Sequence, residues 1–328
     1  MNRKNFVLML AAASMLISAC GGASASKDPQ ASLEAIRLPM GYIQNIQYAP
    51  YYVAAEKGYY AQAGYEVAFD YRFETDGVAL VGSNELPFAL VSGEQVLLAR
   101  AQELPVVYVM TWFQDYPITL ISKKGSGIES PADLAGRQIG LPGLWGASYI
   151  GLRAVLDQGG VAEEDVVLNS INFTQAAALA AGEEEVVVGY INNEPVQLRS
   201  QGVEVDLLPV ADYVELAANG VLTNETMIQD HPERVRAFVQ ATLRGLADTI
   251  ANPDEAYEIS KKYVEGLADA DEAVQKEVLA LSIELWKADP LGFANPQAWA
   301  NMQAVLMDMG LLTTELDINA AFTNQFVE

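Results

Sequence analysis

The chain has 328 residues, more than one hydrophobic core usually serves, and its 51% apolar content provides material for two. A net charge of −24 and a pI near 4.3 argue against nucleic acid or an anionic membrane surface as partner, since both would repel it. One Cys and one His in the whole chain rule out an internal disulfide and any His/Cys metal set.

The first segment sets the compartment. Arg3 and Lys4 precede an apolar run from Phe6 to Ile17, and small residues lead into Cys20, the pattern of an export signal peptide. A membrane-spanning helix needs about 20 apolar residues, which this run does not reach. Ile17-Ser18-Ala19-Cys20 resembles the bacterial lipobox, which implies cleavage before Cys20 and fatty-acyl (palmitate) attachment to it. Residues 1–19 are therefore expected to be signal peptide, and residues 20–33 a lipidated N-terminus followed by a Gly/Ala/Ser linker with Pro29. The protein is expected at the cell membrane, on its extracytoplasmic face, held by the lipid anchor alone.

Short β-rich runs then alternate with helical stretches. The first set reads as strand Ala35–Met40, a helix from Ala49 to Ala63, strand Glu66–Tyr71, a helix near Val78–Gly82, strand Phe88–Val91, a helix from Glu94 to Ala101 and strand Val106–Thr111. The second set reads as strand Gln138–Leu141, a helix from Ser148 to Gln158, strand Val166–Ile171, a helix from Thr174 to Ala181 and strand Val186–Tyr190. Such alternation points to βαβ units and parallel sheets, hence to two α/β lobes. Residues 116–122 and 205–211 are strand-like crossings between the sets, which makes a hinge with two connections. From His231 the chain is helical over Pro232–Ile250, Pro253–Val264, Ala270–Ala288 and Pro296–Met309, with Pro in first turns. These helices are expected on the first lobe, so that residues 34–119 and 212–328 form lobe 1 and residues 120–211 form lobe 2.

Open sheets of this kind bind ligands beyond the carboxyl ends of their strands, and those segments are polar and aromatic here. Tyr48, Trp112, Trp145 and Tyr190 are candidates to stack on a planar ring, although each can equally serve as a core or rim aromatic. Tyr51, Tyr52, Tyr59 and Tyr60 are expected to pack a helix on its sheet. Asn45, Glu94, Asn192, Asn193 and Glu194 could read the polar edge of a heterocycle, with helix capping as the other use. Capping suits Ser92 and Ser148 best. Gly143, Gly146 and the amides entering the Ser148 helix could hold an oxygen-rich group. His231, at a helix start, suits capping or exposure better than catalysis. No nucleophile elbow and no phosphate-loop motif is present.

A family resemblance is carried by Gly41-Tyr42-Ile43 with Ala49-Pro50, Glu56-Lys57-Gly58-Tyr59-Tyr60, the run Ser92 to Arg100, Leu104-Pro105-Val106-Val107, Pro131 to Gly136 and Asn193-Glu194-Pro195. The chain resembles the solute-binding proteins related to the thiamine-pyrimidine synthases. That implies a two-lobed periplasmic-binding fold of type II which closes over a heterocyclic vitamin and delivers it to the permease of an ABC importer. Two branches are similar, one binding riboflavin and one binding an aminopyrimidine precursor of thiamine; the lipoprotein signal and the abundance of aromatics favour riboflavin. Taken with the strand-end reading, the expected ligand-binding set is Asn45, Tyr48, Ser92, Gly93, Glu94, Trp112, Trp145, Tyr149, Tyr190, Asn193 and Glu194. Synthases of the superfamily need an active-site His, a Cys cluster and pyridoxal phosphate. A chain whose only such residues are His231 and Cys20 is expected to be no enzyme, to need no cofactor and to act as a monomer.

Overall fold

The computed structural model describes residues 33–328, so Cys20 and the signal expected over 1–19 lie outside the described residues. Strand β1 (Glu34–Pro39) pairs in parallel with β2 (Tyr65–Asp70), the crossover between them carrying helices α1 (Ala49–Glu56) and α2 (Tyr59–Gln62). Pro50 stands in the first turn of α1, where its missing N–H costs no helical bond. The single helix expected over 49–63 is broken at Gly58, whose φ of +72° puts the backbone in the left-handed region that glycine enters without strain. Helix α3 (Glu74–Gly82), strand β3 (Ala89–Val91), helix α4 (Gly93–Ala101) and strand β4 (Val106–Thr111) complete the outgoing part of lobe 1.

Strand β5 (Ile118–Lys123) takes the chain into lobe 2, which continues through β6 (Gln138–Leu141), α5 (Gly146–Gln158), β7 (Val167–Ser170), α6 (Gln175–Ala181), β8 (Val186–Tyr190), α7 (Glu194–Ser200) and β9 (Val205–Pro209). Its sheet has the order β7-β6-β8-β5-β9. The sheet is parallel across β7, β6 and β8, as the alternating pattern implies, but β5 runs antiparallel to both its neighbours. On the return to lobe 1, β10 (Gly220–Asn224), which the sequence pattern does not reveal, slots between β3 and β4 antiparallel to both. The five-stranded sheet is therefore mixed, β1-β2 is a separate parallel pair, and the sheet into which β10 inserts is antiparallel throughout. Gly220 permits this insertion: a Cβ there would overlap the Met110 carbonyl oxygen and the Tyr108 hydroxyl.

Helix α8 (Glu225–Asp230) leads into α9 (Pro232–Ala251), α10 (Pro253–Ser260), α11 (Glu272–Trp286) and α12 (Pro296–Asp308). Buried Val235, Phe238, Val239, Thr242, Leu246 and Thr249 recur at helical spacing on α9. Phe238 stacks on Phe88 with ring centroids 3.9 Å apart and 9° between planes, an arrangement that adds about 0.5–1.5 kcal/mol beyond area burial. Gly245 lets α9 cross α1 closely, since a Cβ there would overlap the Pro50 carbonyl oxygen. Helices α9 and α10 pack on α1, and α12 packs on α4; α11 and α12 also reach α7 and α5. Among the described residues no helix is long and apolar enough to cross a membrane.

Candidate ligand-binding cleft

Strand ends of both lobes converge on a cleft of ≈ 860 Å³, solvent at its mouth included. Lobe 1 contributes Tyr42, Gln47, Tyr48, Glu74, Gln95, Trp112, Phe113 and Asn219; lobe 2 contributes Trp145, Ser148, Phe173, Gln175, Tyr190, Asn193 and Glu194. No Lys, Arg or His is among the described residues that line it.

Tyr48 and Trp112, expected as separate stacking partners, stack on each other with centroids 5.3 Å apart and planes at 28°. Trp112 also meets Tyr51 edge-on at 5.2 Å and Trp286 at 5.9 Å, so this wall is an outgrowth of the lobe 1 core. The Tyr48 hydroxyl donates to the Met40 carbonyl (2.6 Å), and Trp112 Nε1 is buried without a hydrogen-bond partner. Tyr190 stands on the other lobe and donates its hydroxyl to Asn219 Oδ1 (3.1 Å). Trp145 sits at the mouth, 41% exposed, edge-on to Phe73 at 4.9 Å. Tyr42 and Phe173 make a similar contact between the lobes, at 4.7 Å and 89°.

The buried Glu194 carboxylate accepts from Tyr190 N (2.7 Å) at Oε2 and from Asn193 Nδ2 (3.0 Å) at Oε1. Gly189 makes this approach possible, because a Cβ there would lie 2.6 Å from Oε2. Burial pushes the Glu194 carboxyl above its usual range, against the hydrogen bonds that hold it down. On lobe 1, Glu74 Oε2 accepts from Ser92 N (2.9 Å), and Asn219 Nδ2 donates to Oε1 (3.0 Å). Gly41, at φ +81°, brings its backbone over this side chain; a Cβ would lie 2.9 Å from Glu74 Cγ. Burial pushes the Glu74 carboxyl above its usual range, against the donors from Ser92 and Asn219 that hold it down.

Of the residues proposed from sequence, Tyr48, Trp112, Trp145, Tyr190, Asn193 and Glu194 meet at the cleft. Asn45, Ser92, Gly93, Glu94 and Tyr149 do not line it, each for a visible reason. Asn45 caps a turn, its Oδ1 accepting from Gln47 N (2.9 Å). Ser92 and Glu94 lie fully buried behind Glu74. Gly93 is pressed against Ala217, which a Cβ would approach to 2.5 Å. Tyr149 turns aside on α5, donating to Glu163 Oε2 (2.8 Å). Asn192, also weighed as a ligand reader, ties the lobes together: its Nδ2 donates to Gln47 Oε1 (3.0 Å) and to Ser282 Oγ (2.6 Å).

Ser92 is the N-cap residue of α4 without a capping side-chain bond, and Ser148 lies inside α5, whose N-cap is Trp145. That helix start has no side-chain cap, and its Gly146, Ala147 and Ser148 line the cleft, as an oxygen-binding helix entrance requires. Gly143 packs against the Trp145 indole instead. Sequence reasoning passed over Tyr42, Gln47, Glu74, Gln95 and Phe113, which share the strand-end placement that marked the others. Phe173 lies on a turn, Gln175 opens α6, and Asn219 stands just before β10. His231 is exposed between α8 and α9, with no capping bond from its side chain. Among the described residues no group of His, Cys, Asp or Glu could hold a metal ion.

Residues 45–256 match the family model described as NMT1/THI5 like. Riboflavin-binding protein RibY of Chloroflexus aurantiacus is 44% identical, over 95% of this chain and 95% of its own. A formylaminopyrimidine-binding protein of Halalkalibacterium halodurans is 29% identical, over 89% of this chain and 90% of its own. Among solved structures, the periplasmic aliphatic sulphonate binding protein SsuA of Escherichia coli superimposes with a TM-score of 0.71 at 13% identity, covering 89% of this chain and 93% of that one. The fold is thus the two-lobed α/β periplasmic-binding fold.

Proposed function

We propose, from the premise that the chain belongs to the NMT1/THI5-like family, that it is the extracytoplasmic solute-binding receptor of an ABC importer and takes riboflavin between its lobes. The observation that carries this reading is the aromatic wall of Tyr48 and Trp112, which faces Tyr190 across the cleft. A flat tricyclic ring offers such walls a large stacking area, and stacking of a ring on an aromatic side chain contributes about 1–3 kcal/mol. The polar edge fits as well: the carboxylates of Glu74 and Glu194 answer the N–H of a ring edge. The N–H groups at the start of α5 suit the hydroxyls of a sugar-alcohol chain.

The reading is one of binding and delivery, not of catalysis, by a monomer divided as the sequence suggests, with 34–119 and 212–328 in lobe 1 and 120–211 in lobe 2. Its anchor is the lipid on Cys20, and Cys20→Ala should leave the protein out of the detergent phase and without fatty-acid label. The ligand is tested by titrating the mature protein with riboflavin, following flavin emission and heat. Stacking on Trp or Tyr should quench the emission. Tight binding of an aminopyrimidine with no response to riboflavin would replace the vitamin and keep the receptor, a choice the relative that binds formylaminopyrimidine makes worth measuring.

A further inference from the structure

Behind the cleft wall, Ser92 Oγ lies 2.6 Å from Glu74 Oε2 and also within hydrogen-bond distance of Glu94 Oε1. A serine hydroxyl has one proton to donate. It therefore serves one carboxylate, and the other carboxyl must hold a proton and donate it to Ser92 Oγ. The neighbours decide which. Glu74 already receives Ser92 N at Oε2 and Asn219 Nδ2 at Oε1, so its ionised form has donors on both oxygens. Glu94 is 0% exposed; Gln95 Nε2 is 3.3 Å from Oε1, and Oε2 has no partner. An ionised carboxylate with a bare oxygen at full burial is the costly arrangement.

We infer that Glu94 is a neutral acid in the folded protein, donating from Oε1 to Ser92 Oγ, which donates to Glu74 Oε2, so that Glu74 is fixed as the hydrogen-bond acceptor on the cleft wall. With Ser92 N, Ser92 Oγ and Asn219 Nδ2 in place, one acceptor position remains, on Glu74 Oε1. The site thereby favours a ligand that brings an N–H or O–H donor to that oxygen, and Glu94 acts as a positioning residue that touches no ligand. This deepens the riboflavin reading, whose ring edge carries such an N–H, and rests on that reading only for the ligand's identity.

The groups around the pair agree. Tyr48, Tyr108, Tyr116 and Tyr190 face it from both lobes, all held neutral by burial, and Glu194 is the further acid lining the cleft. Burial raises the Glu94 carboxyl above its usual range, against the hydrogen bonds from Ser92, its own backbone N–H and Gln95 that hold it down. A carboxyl whose folded-state pKa is raised contributes stability that is full below its unfolded pKa and is lost as pH rises through the folded one.

The experiment reads the carbonyl stretch of protonated carboxyls in the infrared at neutral pH, with melting temperature against pH. A neutral-carboxyl band should be present in the wild type, vanish in Glu94→Gln and persist in Glu74→Gln. Glu94→Gln should also lose less melting temperature than the wild type on going alkaline, since no buried acid is left to ionise there. Its amide can donate to Ser92 as the acid does, so its riboflavin affinity should stay within about threefold of wild type, whereas Glu74→Gln should weaken binding at least tenfold. A band that survives in Glu94→Gln and disappears in Glu74→Gln would overturn the inference, as would loss of affinity in Glu94→Gln as large as in Glu74→Gln. The infrared and pH arms need no ligand, so a protein that ignores riboflavin refutes the vitamin and still tests the proton. If Glu94→Gln fails to fold, persistence or loss of the band in Glu74→Gln decides.

Discussion

The two walls of the cleft are built differently. On lobe 1, Tyr48 and Trp112 are almost wholly buried, stack on each other and continue into Tyr51, Phe113 and Trp286. On lobe 2 the wall is a helix entrance with half-exposed Trp145, a loop phenylalanine at 173, and Tyr190, whose hydroxyl is already committed to lobe 1. One wall is therefore a platform whose shape the core dictates, and the other is a cover held at its edge by contacts to lobe 1. Affinity and fold stability are expected to be inseparable on the first and separable on the second.

Trp112→Ala is the strongest way to test that contrast. It should cost about 3–5 kcal/mol of unfolding free energy, the range for emptying a large aromatic site in a core, and abolish tight binding as well. Denaturant unfolding and riboflavin titration measure the two, and a variant as stable as wild type would show that the platform is not core. Glu194→Gln comes next, because its new NH₂ group must face either Tyr190 N–H or Asn193 Nδ2, both donors. An unpaired buried donor costs about 1–3 kcal/mol, and ring-edge selectivity between riboflavin and an aminopyrimidine should shift in calorimetry.

Trp145→Ala should do the reverse of Trp112→Ala, weakening ligand binding by about 1–3 kcal/mol while moving the unfolding midpoint little, since the side chain is already half in solvent. Equal damage to both quantities would erase the distinction between platform and cover. The smallest effect is expected from Asn192→Ala. Removing its bonds to Gln47 and Ser282 should cost about 1 kcal/mol, read as a larger mean radius in small-angle scattering before ligand is added, with the ligand-saturated radius unchanged.

Legibility in the sequence followed the same divide. Strands Val106–Thr111, Gln138–Leu141 and Val186–Tyr190 are readable to the residue, because the first and last are runs of β-branched and aromatic side chains and all three sit between clear turn signals. Strand β10 was not, since Gly220 to Asn224 is a short run opening on a glycine, and its place is fixed by distant Tyr108 and Met110. At the cleft, the strand-end rule located Trp112, Tyr190 and Glu194. It gave no sign that Tyr48 and Trp112 would stack on each other, nor that Glu94 would sit one layer behind Glu74, because both facts depend on which way a side chain leaves its turn. Asn219 and Phe173 come from segments without periodic pattern, where only the folded chain brings them near.

The bonds between the lobes, from Asn192 to Gln47 and Ser282 and from Tyr190 to Asn219, also set a clock. A protein that holds itself shut admits a ligand only during openings, so the observed association rate is the encounter rate scaled by the open fraction, and the apparent dissociation constant rises by the inverse of that fraction. The same bonds act in the other direction once the ligand is inside, lengthening its residence in proportion to how rarely the lobes part.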